Sequence, residues 1–283
     1  MKHLLVLVLL FTSFSTFASR ATSQALGQDA ETGSFYLMDN RNVFRNPALI
    51  GEMKSNLFFE SDMEFGYMGN DLGIVLGRDL AGASSGEVFA MVSDNLGANL
   101  GVRASKGEGI EALRGRLGYA YDDMEFFGGL TWVDVEDGDV SLDAGLVFPI
   151  VNEMLKLFAT ADVTFMDGND PYSFLVGAGS VYSMTSGVVF GDFRYIRTRA
   201  METTDDMVAT LGAKVMLPQY NTTMMLSGER HLYFEDATYV NAGVSWMPIV
   251  DFKVDLAARV DAVQLADPGH ADYDWNLSLT YYL

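Results

Sequence analysis

The chain has 283 residues and a strongly acidic balance, with 18 Lys and Arg against 38 Asp and Glu and a formal net charge of −20. Phosphate-backbone recognition needs a basic face, so nucleic-acid partners are not expected. The absence of cysteine excludes disulfides, thiolate nucleophiles and cysteine-based metal sites, and the length suits a single large barrel as well as one or two smaller domains.

Lys2 and His3 form a basic start, Leu4 to Phe11 is an unbroken apolar run, and Thr16-Phe17-Ala18 offers small residues where a signal peptidase reads. Residues 1–18 are therefore expected to be a secretory signal peptide, cut after Ala18. The apolar run is too short to cross about 30 Å of hydrocarbon as a helix. Residues 19–41 are rich in Ala, Gly, Ser, Gln and Asp, with Phe35-Tyr36-Leu37-Met38 the one apolar run. Asn42 to Ile50 alternates poorly and contains Pro47, which lacks a ladder donor and argues for a turn or irregular segment. Residues 19–55 thus read as an irregular N-terminal segment that hands over to a sheet.

From residue 56 the hydrophobic period becomes two. Leu57, Phe59, Met63, Phe65 and Tyr67 oppose Glu60, Asp62, Glu64 and Gly66, as one strand would. Leu72 to Leu76, Ala98 to Ala104, Leu113 to Tyr121, Met124 to Trp132 and Val140 to Phe148 follow the same rule. So do Leu155 to Phe165, Tyr172 to Tyr182, Met207 to Leu217, Val240 to Trp246, Phe252 to Val260 and Tyr273 to Leu283. Alternation over about ten residues, repeated a dozen times, is a strand signal. The segments 187–199 and 221–232 alternate more weakly and are placed by spacing, and the stretch from Leu72 to Asp94 is irregular.

The connections fall into two alternating sets. Residues 148–152, 184–187, 217–221 and 247–251 are short and contain Pro, Asn or Gly, while 134–139, 167–170, 201–206 and 267–272 are acidic. Aromatics gather near strand ends, at Tyr67, Tyr121, Phe148, Tyr172, Tyr182, Trp246, Phe252, Tyr273 and Tyr281. Short turns at one rim, longer loops at the other and aromatic girdles describe a bacterial outer-membrane barrel; a secreted β-sandwich would not need so regular a pattern. The expected fold is all-β: a transmembrane antiparallel up-and-down barrel of about 14 strands over residues 56–283, with residues 19–55 as an N-terminal luminal plug.

If the apolar face meets lipid, the other face lines the lumen. It carries Glu60, Asp62, Glu64, Arg103, Arg114, Arg116, Asp143, Lys156, Asp162, Lys214, Lys253, Asp255 and Arg259. Two readings stand: hydrogen-bonded wall pairs, or a constriction with Arg114 and Arg116 opposite the Glu60, Asp62, Glu64 ladder.

The stretch Asn42-Val43-Phe44-Arg45-Asn46-Pro47-Ala48-Leu49-Ile50, followed by a short gap and an aromatic-rich strand, resembles the N-terminal region of FadL-type outer-membrane transporters. In that family an Asn-Pro-Ala motif joins a luminal hatch to the first of 14 strands. Asn46, Pro47 and Ala48 match it, and the resemblance implies a plug or hatch role for them. The chain is shorter than the fatty-acid transporters, and its outer loops are too short for their extracellular helical hairpin.

Beyond the leader, the histidines are His231 and His270, both in or near predicted loops, and neither sits mid-strand beside a serine on the lipid-facing wall. No enzyme, cofactor or metal is expected; the Asp and His residues of 267–272 read as a solvated loop. The expected role is passive uptake of small solutes, hydrophobic ones included, in the bacterial outer membrane. The expected partners are membrane lipid, lipopolysaccharide and the solute, with a monomer favoured. Alternatives are a weakly cation-selective general porin and a scaffolding barrel of an envelope assembly.

Overall fold

A strand buried on neither face exposes one apolar row to lipid and one polar row to a lumen, and edges must be closed because bilayer hydrocarbon supplies no hydrogen bonds. The computed structural model describes residues 19–29, 31–37, 40–80, 83–105, 109–133, 138–151, 154–165, 171–199, 202–233, 237–264 and 273–283. Among the described residues sixteen strands form one closed antiparallel meander. They are β1 (Asn56–Glu60), β2 (Phe65–Met68), β3 (Leu72–Leu80), β4 (Ala83–Ser93), β5 (Leu96–Ser105), β6 (Gly109–Tyr121), β7 (Met124–Val133) and β8 (Asp139–Val151). The series continues with β9 (Leu155–Phe165), β10 (Tyr172–Met184), β11 (Gly187–Arg199), β12 (Thr203–Leu217), β13 (Thr222–His231), β14 (Thr238–Ile249), β15 (Phe252–Asp261) and β16 (Asp274–Tyr282). Each strand pairs with its neighbours in sequence, and β1 closes on β16 with Asn56 opposite Tyr282.

The outer surface follows the predicted alternation. Leu57, Phe59, Leu117, Phe126, Leu146, Leu211, Leu226 and Leu277 are exposed, whereas Glu87, Asn99, Asp192, Thr210, Asn241, Asp255 and Ser278 on the opposite face are buried. Turns after even-numbered strands lie at the rim where β1 begins and β16 ends, and turns after odd-numbered strands lie at the other. The predicted short turns all fall at the first rim, and there Tyr121, Phe148, Tyr182, Trp246 and Tyr281 are exposed near strand ends, as girdle residues are. At that rim Asp122 and Asp123 form a two-residue hairpin with φ 47° and 63°, which carries the right-handed strand twist through the turn.

The expectation of about 14 strands with an N-terminal plug is corrected by this architecture. The barrel has 16 strands, and the difference has two origins. Residues 57–67 are two strands: Ser61 to Glu64 turn the chain, Glu60 N–H donates to the Glu64 carbonyl at 2.8 Å, and Met63 takes a left-handed φ of 64°. The opposed residues Phe59 and Phe65 are an even number of positions apart in sequence, so the apolar phase of β1 continues into β2 and hides the reversal. Strand β4 escapes the period-two rule because both of its faces are apolar at Val88-Phe89-Ala90-Met91-Val92. Val88 points to the outside and Phe89 is fully buried on the inner face.

A plug is not shown either. Sixteen strands enclose room for an aqueous passage. The described N-terminal residues are bound along the wall, and inner polar residues of β8 and β9 (Ser141, Thr160, Asp162 and Thr164) keep partial solvent access. The predicted loop 201–206 is also shorter than expected, since β12 begins at Thr203. The signal peptide (1–18), the acidic stretches 134–137, 167–170 and 267–272, and with them His270, lie outside the described residues.

Residues 19–53 form a short helix, α1 (Arg20–Ala25), and two 3₁₀ segments, Asn40–Phe44 and Pro47–Glu52. Ser19 caps α1 by accepting from Thr22 N–H, which satisfies a helix-end donor. The helix packs against β13 to β16, and Pro47–Glu52 packs against β4, β5 and β6. Two buried apolar clusters lie between segment and wall. One joins Ala21, Ala25, Leu26 and Tyr36 to Phe127, Val147, Phe158, Phe190 and Met225, and the other joins Val43, Phe44, Ile50 and Met53 to Met68, Val75 and Phe89. The inner wall carries apolar residues at these two contacts, and the second of them is why β4 breaks the alternation.

Candidate functional site

The inner wall of β1 to β7 is dominated by charges that meet the N-terminal segment. Arg41, almost completely buried, forms a two-point pair with Glu64, with Nη1 at 2.6 Å from Oε1 and Nη2 at 3.2 Å from Oε2. Burial alone would pull the Arg41 guanidinium down; Glu64 and Glu60 outweigh it and raise it above its ordinary value. Burial likewise opposes the charged Glu64 carboxylate, and Arg41, Arg78 and Arg20 outweigh that and hold it below the usual carboxylate value. Arg20 contacts Glu31 and Asp62, and its backbone N–H donates to Glu60 at 3.2 Å. Ser278 donates its hydroxyl to the same Glu60. Arg78 on β3 pairs with Glu87 on β4 at 3.0 Å and donates to the Glu31 carbonyl at 3.2 Å. The Arg41 and Arg78 guanidinium groups lie 4.3 and 4.1 Å from the centre of the Phe44 ring, one cation–π contact each.

Arg45 repeats the arrangement four residues on. It reaches Glu125 on β7 at 3.1 Å, donates to the Ser34 carbonyl at 2.8 Å, and lies 4.5 Å from the centre of the Phe35 ring. On the far wall Tyr36 donates its hydroxyl to Asp192 of β11 at 2.5 Å, and burial followed by Asp192 pushes the phenol well above its ordinary value. Ser19 donates to Asp255 at 2.8 Å, and Asp255 also accepts from Lys253 at 2.8 Å.

Asn46-Pro47-Ala48 does not lie beside β1. It docks on a notch made by Gly97 of β5 and Gly118 of β6, which face each other in the ladder. A Cβ on Gly118 would come within 1.9 Å of the Asn46 side-chain oxygen, and one on Gly97 within 2.3 Å of the Pro47 carbonyl. The Asn46 side chain caps the second 3₁₀ segment by accepting from Ala48 N–H at 3.2 Å, while its amide donates to Glu125 at 3.2 Å. The Arg116 guanidinium donates to the Phe44 carbonyl from the neighbouring wall.

On β6 to β9 the inner face is different. Arg116 pairs with Asp143 at 2.8 Å, across Gly129, where a Cβ would lie 2.8 Å from the Asp143 oxygen. Arg114 donates its Nε–H to Thr131 at 3.3 Å, and Ser141 and Thr164 share a hydrogen bond of 2.8 Å. Asp162 faces Asp143 in the β8–β9 ladder. Among the described residues neither Arg114 nor Asp162 has an ion-pair partner.

The predicted constriction is therefore not formed. Glu60, Asp62 and Glu64 are engaged by Arg20 and Arg41, while Arg114 and Arg116 belong to the β6–β8 wall. Of the remaining predicted luminal residues, Arg103 pairs with Glu111 at 2.9 Å, Lys156 with Asp123 at 3.6 Å and Arg259 with Glu229 at 3.6 Å. Lys214 lies on the inner face of β12, half-buried. Sequence reasoning missed Arg20, Arg41, Arg45, Arg78, Glu87 and Glu125. The available signals were Arg41 and Arg45, cations flanking the Asn-Pro-Ala stretch of an acidic chain, and Glu125, set between the apolar Met124 and Phe126.

No family model matches the chain, and no curated protein matches it, so the FadL-type family is not specifically supported. Among solved structures the chain is similar to a bacterial polysaccharide outer membrane secretin, with a TM-score of 0.55 and 13% identity over 81% of this chain and 98% of that one. It also matches a mutant of Rh. blastica porin (TM-score 0.47, 11% identity, 81% of this chain and 97% of that one). A third match is KdgM porin (TM-score 0.37, 8% identity, 82% and 99%). At 13% identity the likeness to the first of these is one of fold, an antiparallel closed barrel.

Proposed function

We propose that the chain is an outer-membrane barrel that lets small polar solutes diffuse passively. The observation that carries this is a closed ring of 16 strands, apolar outside, whose inner face at β6 to β9 presents Arg114, Ser141, Asp162 and Thr164 with partial solvent access. Barrels of that strand number leave an aqueous channel. The inner apolar surfaces, by contrast, are covered by Phe35, Tyr36, Phe44 and Ile50, so the open wall favours polar over hydrophobic cargo. The resemblance of Asn46-Pro47-Ala48 to FadL-type transporters bears on the docking of one segment and does not extend to a fatty-acid substrate.

A weak preference for cations accompanies this reading, since the chain carries a formal charge of −20 and a low-dielectric wall focuses that field. Planar-bilayer recording tests both parts. Stepwise conductance and a reversal potential displaced toward the cation in a salt gradient are expected. An inserted, folded barrel without conductance would leave only the scaffolding role.

A further inference from the structure

The β6–β9 wall holds two opposite charges that the fold itself does not neutralise. Arg114 has only a 3.3 Å hydrogen bond to the Thr131 hydroxyl, and Asp162 has no hydrogen bond or ion pair among the described residues. Elsewhere on the inner wall the arginines are engaged: Arg78 by Glu87, Arg116 by Asp143, Arg194 by Asp192. The ladder fixes where the two unpaired groups stand. Arg114 is opposite Thr131, Thr131 opposite Ser141 and Ser141 opposite Thr164, while Asp162 lies two residues along β9 from Thr164, on the same face. Three strand spacings, about 14 Å at the backbone, separate β6 from β9. The extended Arg114 side chain covers part of that gap, and the Arg116–Asp143 pair stands in the row next to it. Hydroxyls of Thr131, Ser141 and Thr164 fill the interval.

We propose that this wall is a binding subsite for short zwitterions, the carboxylate held by Arg114 and the ammonium by Asp162, with a peptide-sized backbone laid across the hydroxyl row. The proposal rests on the channel reading and names its solute class. A cation alone would gain Asp162 and be repelled by Arg114, and an anion alone would meet the reverse. A solute with both charges several ångströms apart satisfies both groups. The Arg116–Asp143 pair beside them is internally neutral and supplies a rigid floor.

Triglycine and its capped forms read the two ends separately: the N-acetyl peptide lacks the ammonium, the C-terminal amide lacks the carboxylate, and the doubly capped peptide lacks both. Calorimetry on the whole detergent-solubilised protein is expected to show triglycine binding about tenfold tighter than either singly capped form, the increment of a charged hydrogen bond. Asp162→Asn should weaken triglycine about tenfold and leave the N-acetyl peptide no weaker, since it also removes that peptide's repulsion; Arg114→Gln should do the same with respect to the amide. Equal affinities for all four peptides, no measurable binding of triglycine, or equal weakening of triglycine and the N-acetyl peptide by Asp162→Asn would overturn the subsite. Salt conductance measured on the same preparation keeps the two readings apart: a conducting barrel indifferent to peptide end groups retains the channel and loses the subsite, whereas a non-conducting barrel that still binds triglycine loses the channel alone.

Discussion

The inner wall of β1 to β4 and that of β6 to β9 carry the same residue types and use them in opposite ways. On the first, Glu60, Glu64, Arg78 and Glu87 are almost completely buried and joined to Arg20, Arg41 and Glu31 of the N-terminal segment. On the second, Arg114, Asp162, Ser141 and Thr164 stay partly accessible and pair within the wall or not at all. A charge on the inner face is a structural fastener or a solute contact according to what covers it, and strand periodicity reports neither.

The largest test of this contrast is Arg41→Met. Removing one member of a buried pair strands the other charge, and the loss expected is about 3–5 kcal/mol. The measurement is thermal unfolding in detergent together with protease cleavage within residues 19–53, both of which should shift strongly. Arg41→Met combined with Glu64→Leu should recover most of the loss, because both charges are then gone. A single variant as stable and as protease-resistant as the parent would place the anchoring energy in the apolar clusters instead.

The next test concerns the glycine notch. Gly118→Ala forces the Asn46 side chain away from β6, since the new Cβ would lie 1.9 Å from its oxygen. Overpacking of this kind destabilises by about 1–3 kcal/mol. Gly115→Ala, three residues away with no atom within 4 Å of the added methyl, is the control and should be nearly neutral. Equal unfolding midpoints for the two variants would mean that Asn46-Pro47 is not held by this contact.

Acid separates the fasteners from ordinary carboxylates. Glu64 sits below its usual value in the folded chain, so its contribution is fully present above an unfolded pKa of about 4.3 and is lost as pH falls through the lower folded value. Protease resistance of residues 19–53 should therefore persist to pH 4 and fall below it, and Glu64→Gln should flatten that acid limb while lowering the plateau. A parent whose resistance already declines between pH 6 and 5 would assign the anchoring to another group.

Much of the barrel was legible because a lipid-facing row against a lumen-facing row gives period two wherever the inner face is wet, as on β8, where exposed and less exposed residues alternate from Ser141 to Leu146. Legibility failed where the inner face is dry. Phe89 and Met91 on β4 face inward because Phe44 and Ile50 cover them, and covering is a property of residues about forty positions earlier. The β1–β2 reversal failed for another reason: its turn preserves phase. The anchoring pairs were beyond reach because Arg41 and Glu64, or Arg45 and Glu125, meet only after the barrel closes, and an inward Glu has the same spacing whether its partner is a guanidinium or water. The Asn-Pro-Ala stretch was visible as a break in pattern, and its seat on Gly97 and Gly118 was not, since those glycines read equally well as plain luminal filler.

The smallest expected effect lies on the accessible wall. Asp162→Asn removes a charge that no neighbouring cation pairs with and that sits beside Asp143, so it should change stability by no more than about 0.5 kcal/mol. Asp143→Asn, two strands from Arg116 in the same row, breaks the 2.8 Å pair and should be more destabilising, because the Arg116 guanidinium is then left half-buried with the Phe44 and Arg45 carbonyls and no carboxylate. Denaturation of the two variants side by side in the same detergent ranks them directly. If Asp162→Asn proves the more damaging, Asp162 is itself a fastener, and the division of the inner wall into anchored and open halves gives way at β9.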